Sequence, residues 1–310
     1  MRIVDLRSDT VTHPTPAMRQ AMYEAEVGDD VYREDPTVIK LEQLAAELTG
    51  KEAGLFLASG TMGNQVAIMA HTKKGDEVIC EAEAHVYYYE AGAIACLSGA
   101  QPHPIKGERG ILKDDKVTKA IRSKNVHFPD TGLICLENTH NRAGGTCYSL
   151  CELQAIAKAA ANYAVPVHMD GARLFNAAIA LGIQARDITA HVHSVQFCLS
   201  KGLGAPVGSV LTGSEEFIER ARRFRKMLGG GMRQAGVLAA AGIVALTTMV
   251  KRLADDHRHA RILAEGLAEL GLGIDLATVE TNIVVCDVVR TGRTAREFAD
   301  CLGSAGVKVN

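Results

Sequence analysis

The sequence predicts an α/β protein built on a mostly parallel sheet covered by helices. Three observations carry this. Short apolar runs that read as buried strands alternate with helical stretches from Leu55 to Leu211. The run at 195–199 is such a strand, and it ends on Ser200-Lys201-Gly202. Val165-Pro166-Val167-His168-Met169-Asp170 is another, ending on an acid thirty-one residues before Lys201. That separation accommodates one crossover helix between parallel strands. Asp170 and Lys201 would then share the carboxyl edge of one sheet, where open α/β sheets bind ligands.

A lysine where a core strand runs out needs a chemical reason, because a buried ammonium is expensive unless paired or consumed. One use is a Schiff base, in which desolvation frees the amine as a nucleophile. The plain alternative is a lysine in an exposed turn. Asp170 favours the chemical reading. Pyridoxal phosphate needs a lysine for its aldehyde and a carboxylate for its pyridinium nitrogen.

Residues 1–12 are polar and irregular, and such an arm cannot hold itself in place. Its plain reading is a surface arm with Asp9 and Thr10 as turn residues. Thr15-Pro16 starts a helix with an N-cap and a proline in the first turn. Residues 28–36 form a polar loop, and Thr37 opens an amphipathic helix that Gly50 stops.

The strand at 55–57 meets Ser59-Gly60-Thr61-Met62-Gly63-Asn64 and a helix to about His71. Strand, small residues and helix N-terminus make an anion site, since free backbone amides and the helix dipole favour a phosphate. Gly60 permits close approach and Thr61 adds a hydroxyl. Simple N-capping by Ser59 or Thr61 is the alternative; with Lys201 present, the phosphate reading is favoured. No Gly-Lys-Ser/Thr follows, so this is not a Walker loop.

A strand at 77–80 precedes His85, which lies in the loop or helix beyond its carboxyl end. His127 precedes the strand at 133–136, whose polar end, 137–141, can line a pocket. Residues 150–163 read as an alanine-rich crossover helix. Gly202 to Gly208 has the wrong spacing for a dinucleotide loop. Residues 215–227 form a basic helix without interleaved aromatics, so Lys226 and Arg233 are placed near a cofactor phosphate or a subunit interface rather than on nucleic acid. An apolar helix at 237–250 and an amphipathic one at 251–270 follow. The division expected is an arm at 1–14, a large cofactor-binding domain at 15–250 and a small α/β domain at 251–310. In the small domain, strands at 281–285 and 307–309 flank a helix at 294–302.

Several motifs stand in register from Asp5 to about Asn282. They are Leu6-Arg7-Ser8-Asp9-Thr10-Val11-Thr12, Glu137-Asn138-Thr139-His140-Asn141, Asp170-Gly171-Ala172-Arg173, Ser200-Lys201-Gly202-Leu203 and Gly229-Gly230-Gly231-Met232-Arg233-Gln234. Together they resemble the low-specificity L-threonine aldolases, pyridoxal-phosphate enzymes of fold type I. The resemblance implies retro-aldol cleavage of L-threonine or L-allo-threonine to glycine and an aldehyde. It implies that Lys201 carries the cofactor and Asp170 meets its ring nitrogen; the phosphate is then expected at Gly60 and Thr61, with Arg173 also in the cofactor site and Lys226 and Arg233 near the phosphate or at a subunit interface. By the same resemblance His85 stacks on the ring and His127 lies near the substrate's β-substituent. Ser8 and Arg173 hold the substrate carboxylate, and Tyr32 approaches a neighbouring subunit's site. Lys201, Asp170, His85 and His127 are thus the catalytic candidates, in a homodimer or homotetramer with shared sites. Two departures stand out. Arg33 occupies a position where the family pattern usually has glycine, which a positive φ would explain. The sequence stops at Asn310, before the strand whose arginine grips the substrate carboxylate in related aldolases. β-Elimination, racemisation and cofactor binding without turnover are the competing functions.

Apolar residues at 47% and charged residues at 23% are ordinary for a globular protein. A net charge of -2 offers no electrostatic case for nucleic acid or an anionic membrane. No run has the length of a transmembrane helix, and the start lacks a signal-peptide pattern, so a cytoplasmic location is the default expectation. The eight cysteines include no C-x-x-C and read as free thiols of a reducing compartment. No metal site is expected, and His191, His193, His257 and His259 read as structural.

Overall fold

The computed structural model describes residues 3–310. The strands are β1 (Val4–Asp5), β2 (Ala53–Leu57), β3 (Glu77–Glu81), β4 (Gln101–Ile105), β5 (Thr131–Glu137), β6 (Val167–Asp170), β7 (Ser194–Cys198), β8 (Ser209–Gly213) and β9 (Val307–Lys308). The α-helices begin with α1 (Pro16–Tyr23), α2 (Pro36–Thr49), α3 (Gly60–His71), α4 (His85–Tyr88), α5 (Asp114–Ala120) and α6 (Leu150–Ala161). They continue with α7 (Leu174–Leu181), α8 (Ala185–Thr189), α9 (Glu215–Met227), α10 (Gly236–Val244), α11 (Leu253–Glu269) and α12 (Ala295–Ser304).

β2 to β8 form one sheet in the order β2-β8-β7-β6-β5-β3-β4. β4, β3, β5, β6 and β7 run parallel, and only β8 is reversed against β2 and β7. Helices cover both faces, which is why β3, β7 and β8 are buried along their whole length. Phe56, Ile79, Ile134, Met169 and Phe197 put the main core between sheet and helices.

Several junctions differ from the sequence expectation. The crossover between β6 and β7 is two short helices, because Gly182 closes α7 at φ 66°. α2 starts at Pro36, one residue before Thr37. Asp35 is the cap, accepting from the amides of Thr37 (3.1 Å) and Val38 (3.0 Å). Its other oxygen accepts from Gly236 (2.8 Å), so one buried carboxylate starts both α2 and α10. Arg33 does take a left-handed backbone, φ 61°. A glycine there would avoid a strain of about 1 kcal/mol; the Arg33 side chain pairs with Glu219.

Residues 281–285 form no strand. Among the described residues no ladder partner lies beside them; instead Thr281 donates to the Gly145 carbonyl (2.9 Å) and Asn282 to Asp9 (3.1 Å). β9 forms as expected but pairs in parallel with β1 of the arm. α10 runs through a wide turn at Ala245–Met249 and meets α11 at 67°. Among the described residues no single helix is long and apolar enough to cross a membrane.

Arg225 is among the largest fully buried side chains. It pairs with Asp30 (2.8 Å) and donates to the Phe56 carbonyl (2.9 Å), tying the 28–35 loop to β2. Removing one partner strands a buried charge. Asp30→Ala is expected to lose about 3–5 kcal/mol of unfolding free energy in urea titrations, whereas Arg225→Met in the same background recovers part of it. A loss below about 1 kcal/mol in Asp30→Ala would refute this account.

Candidate active site

Because β6 and β7 are parallel neighbours, Asp170 and Lys201 reach the same edge of the sheet. Asp170 is the last residue of β6 and is buried. Its Oδ1 accepts from Gln196 Nε2 (2.6 Å) and the Ala172 amide (3.0 Å), and its Oδ2 from Asn64 Nδ2 (2.8 Å). Burial alone would raise its pKa. The charges of His85 and Lys201, with these donors, outweigh burial and hold the carboxyl below its usual range. Lys201 lies beyond β7, where the turn closes through Gly204 at φ 79°. Gly204 donates to the Lys201 carbonyl (2.9 Å).

His85 opens α4 just past β3, so it too faces this edge. Its Nδ1 meets Glu90 Oε1 at 2.8 Å. Buried Glu90 also accepts from Asn64 (2.8 Å) and Gln65 (2.6 Å). Burial lowers the His85 pKa, but the Glu90 bond and the charges of Asp170, Glu90 and Glu137 raise it above its ordinary value. Glu137, the last residue of β5, accepts the amides of His85 (2.6 Å) and Asn141 (2.8 Å). One buried carboxylate thereby sets the backbone on both sides of the cleft.

Arg173 follows β6 by three residues and is buried. Its Nε and Nη2 each lie 2.7 Å from Asp9, and its Nη1 donates to Asn141 Oδ1 (3.1 Å). The arm is therefore not a free surface strand. It is held through Asp9, expected as a plain turn residue, and through Thr12 Oγ1, which donates to the Lys201 carbonyl (2.9 Å). Ser8 caps the short turn at Asp9–Val11, accepting from the Thr10 amide (3.2 Å).

Gly60 opens α3, whose N-cap Ser59 accepts from the Met62 amide (3.2 Å). The amides of Gly60 and Thr61 then have no partner within the helix. A Cβ at Gly60 would lie 2.8 Å from Cys198 Sγ, so only glycine lets the helix start sit against β7. These groups fit pyridoxal phosphate: free amides at a helix N-terminus, an amine, and a buried carboxylate kept ionised.

Other predicted residues are not assembled within one chain. His127 is exposed just before β5, at the amino edge, opposite the site. Tyr32 is 73% exposed. Lys226 is exposed, and Arg233 pairs with Asp29 (3.2 Å). Gly230 packs on Met62, which brings their loop toward the start of α3. Glu137 and Asn141 stand in the polar run 137–141 expected to line a pocket, whereas the roles of Asn64, Glu90, Gln196 and Asp9 have no expectation in the sequence. For Gln196 the signal is a polar residue two places after Ser194 in an otherwise apolar strand.

Over residues 5–291 the chain matches the family model of beta-eliminating lyases. It is 49% identical over 302 residues to low-specificity L-threonine aldolase 1 of Arabidopsis thaliana, covering 96% of this chain and 84% of that protein. It is 46% identical over 310 residues to the low specificity L-threonine aldolase of Escherichia coli strain K12, covering 99% and 91%. Among solved structures, the threonine aldolase of Leishmania major superposes with a TM-score of 0.78 at 22% identity, covering 87% of this chain and 81% of that one, a likeness of fold. The chain belongs to the beta-eliminating lyase family and, within it, to the pyridoxal-phosphate-dependent low-specificity L-threonine aldolases of fold type I.

Proposed function

We propose that this protein cleaves L-threonine and L-allo-threonine to glycine and acetaldehyde, with related β-hydroxy-α-amino acids as further substrates. The observation that carries this reading is Lys201 beside a buried, ionised Asp170, with Arg173 at the same edge. Bound there, pyridoxal 5'-phosphate supplies the electron sink for the pair released when the Cα–Cβ bond breaks. Lys201 would anchor it, Asp170 would face its ring nitrogen, and the Gly60 and Thr61 amides would take its phosphate. Asp9 and Asn141 take three of the five Arg173 N–H hydrogens and leave one on each Nη to grip the substrate carboxylate. That grip orients the scissile bond. With Nδ1–H directed at Glu90, neutral His85 presents the Nε2 lone pair as a base toward the β-hydroxyl.

We propose also that the active form is a homodimer or homotetramer with shared sites. Tyr32, His127 and Lys226 lie exposed, and His127 stands at the edge opposite its own chain's cleft, which supports a role at a neighbour's.

Glycine and acetaldehyde release from L-threonine tests the assignment; Lys201→Ala should reduce it at least about a thousandfold, near the upper range of a lost catalytic group. A wild-type protein that binds the cofactor yet racemises or eliminates without forming glycine would replace the aldolase reading. Arg173→Lys should raise KM for threonine about tenfold to a hundredfold with a smaller effect on kcat, because the lost fork contacts are made in the ground state. His85 must lose its proton to act, and its pKa is raised, so kcat/KM should rise with pH through a limb above the ordinary histidine value. Glu90→Gln removes the strongest opposing cause and should move that limb to lower pH; an unmoved limb would remove His85 from the role of base.

A further inference from the structure

A second polar line runs behind Asp170. β6 and β7 are otherwise apolar, yet each carries two polar residues spaced by two on one face: His168 and Asp170, Ser194 and Gln196. The register sets His168 beside Ser194 and Asp170 beside Gln196. α3 packs on these strands, and its Asn64 and His71, two turns apart, fall on one helix face.

Hydrogen bonds join these groups. His71 Nε2 lies 2.8 Å from Ser194 Oγ, and Ser194 Oγ lies 2.9 Å from His168 Nδ1. His168 Nε2 lies 3.3 Å from Asn64 Oδ1, and Asn64 Nδ2 lies 2.8 Å from both Asp170 Oδ2 and Glu90 Oε1. With His168 neutral, only one pattern of hydrogens satisfies all of them. Asn64 Nδ2 faces two carboxylates, so its hydrogens point at them and Oδ1 accepts. His168 must then carry its hydrogen on Nε2 and accept at Nδ1 from the Ser194 hydroxyl. Ser194 Oγ accepts in turn from the Nε2–H of His71. The opposite amide orientation would aim the Asn64 carbonyl at two carboxylates.

The pattern requires a neutral His168 and is met by a neutral His71, and their surroundings keep both rings neutral. Burial pushes His168 down to about 4 against the opposing charge of Asp170. Burial, with His168, His193 and Arg220 facing it, pushes His71 down to about 3. Every donor along the line points toward Asp170, so each bond polarises the next in the same sense.

We propose that His71, Ser194 and His168 form a positioning relay that holds the Asn64 amide in the orientation that donates to Asp170, keeping that carboxylate ionised against the cofactor nitrogen. Its consequence rests on the cofactor reading above; the relay itself is a property of the chain alone.

Ring 15N NMR of the full-length protein, with His168→Gln assigning the signals, reads the relay directly. Both rings should be neutral Nε2–H tautomers from about pH 5.5 to 8, well above their depressed pKa values. An imidazolium or an Nδ1–H tautomer at His168 overturns the proposal. Titration with pyridoxal 5'-phosphate, followed by absorbance, reads the consequence. His168→Leu, which cannot donate, should bind at least about tenfold more weakly, and His168→Gln, whose amide still donates to Asn64, should stay within about threefold of the parent. A glutamine variant as weak as the leucine variant also overturns it. If His168→Leu does not fold, the tautomers of the unsubstituted protein decide. Should the unsubstituted protein bind no pyridoxal phosphate while its tautomers are as stated, the cofactor reading fails and the relay stands.

Discussion

An ionised carboxylate inside a protein loses its hydration at a cost of several kcal/mol, and it survives there only if charges and donors replace the water. Asp170 sets that demand at the centre of this molecule. Gln196, Asn64 and the Ala172 amide supply the donors, while His85 and Lys201 supply the opposite charge. Much of the surrounding polar architecture follows from this one group. Asn64 reaches Asp170 only because α3 lies on the sheet. Gln196 reaches it only because β6 and β7 run in parallel register. Without the carboxylate, these polar side chains would have no reason to occupy an apolar interior.

The second demand is a cation that stays available. A buried guanidinium has five N–H donors, and Arg173 satisfies three of its hydrogens within the chain through Asp9 and Asn141. Asp9 comes from the arm, Asn141 from the end of β5, and Asn282 reaches Asp9 from the far end of the chain. The site is therefore closed by segments that have little structure of their own. β1 and β9, two residues each, pair the arm with the carboxyl-terminal segment and hold both beside the cleft. A polar arm is ordered by what it binds, not by its own propensity.

Strand direction explains what the cleft contains and what it lacks. Asp170, Glu137, His85 and Lys201 all follow carboxyl ends of parallel strands and therefore converge. His127 precedes β5, and in a parallel sheet that places it at the other edge. The same topology that gathers the acid, the amine and the first histidine separates the second, whatever chemistry its residue type suggests.

The sequence by itself determined the sheet class, the strand ending on Asp170, the strand that runs out just before Lys201 and the helix start at Gly60. Each of these is a local rule: apolar runs bounded by glycines, or helix caps. Tertiary structure decided the rest. That Asp9 binds Arg173 and that Asn64 serves Asp170 depends on contacts between residues 164 and 106 positions apart, respectively. That residues 281–285 form no strand depends on the neighbours they meet. Side-chain pairing across such separations is fixed by packing and register, and no window of sequence holds both partners at once.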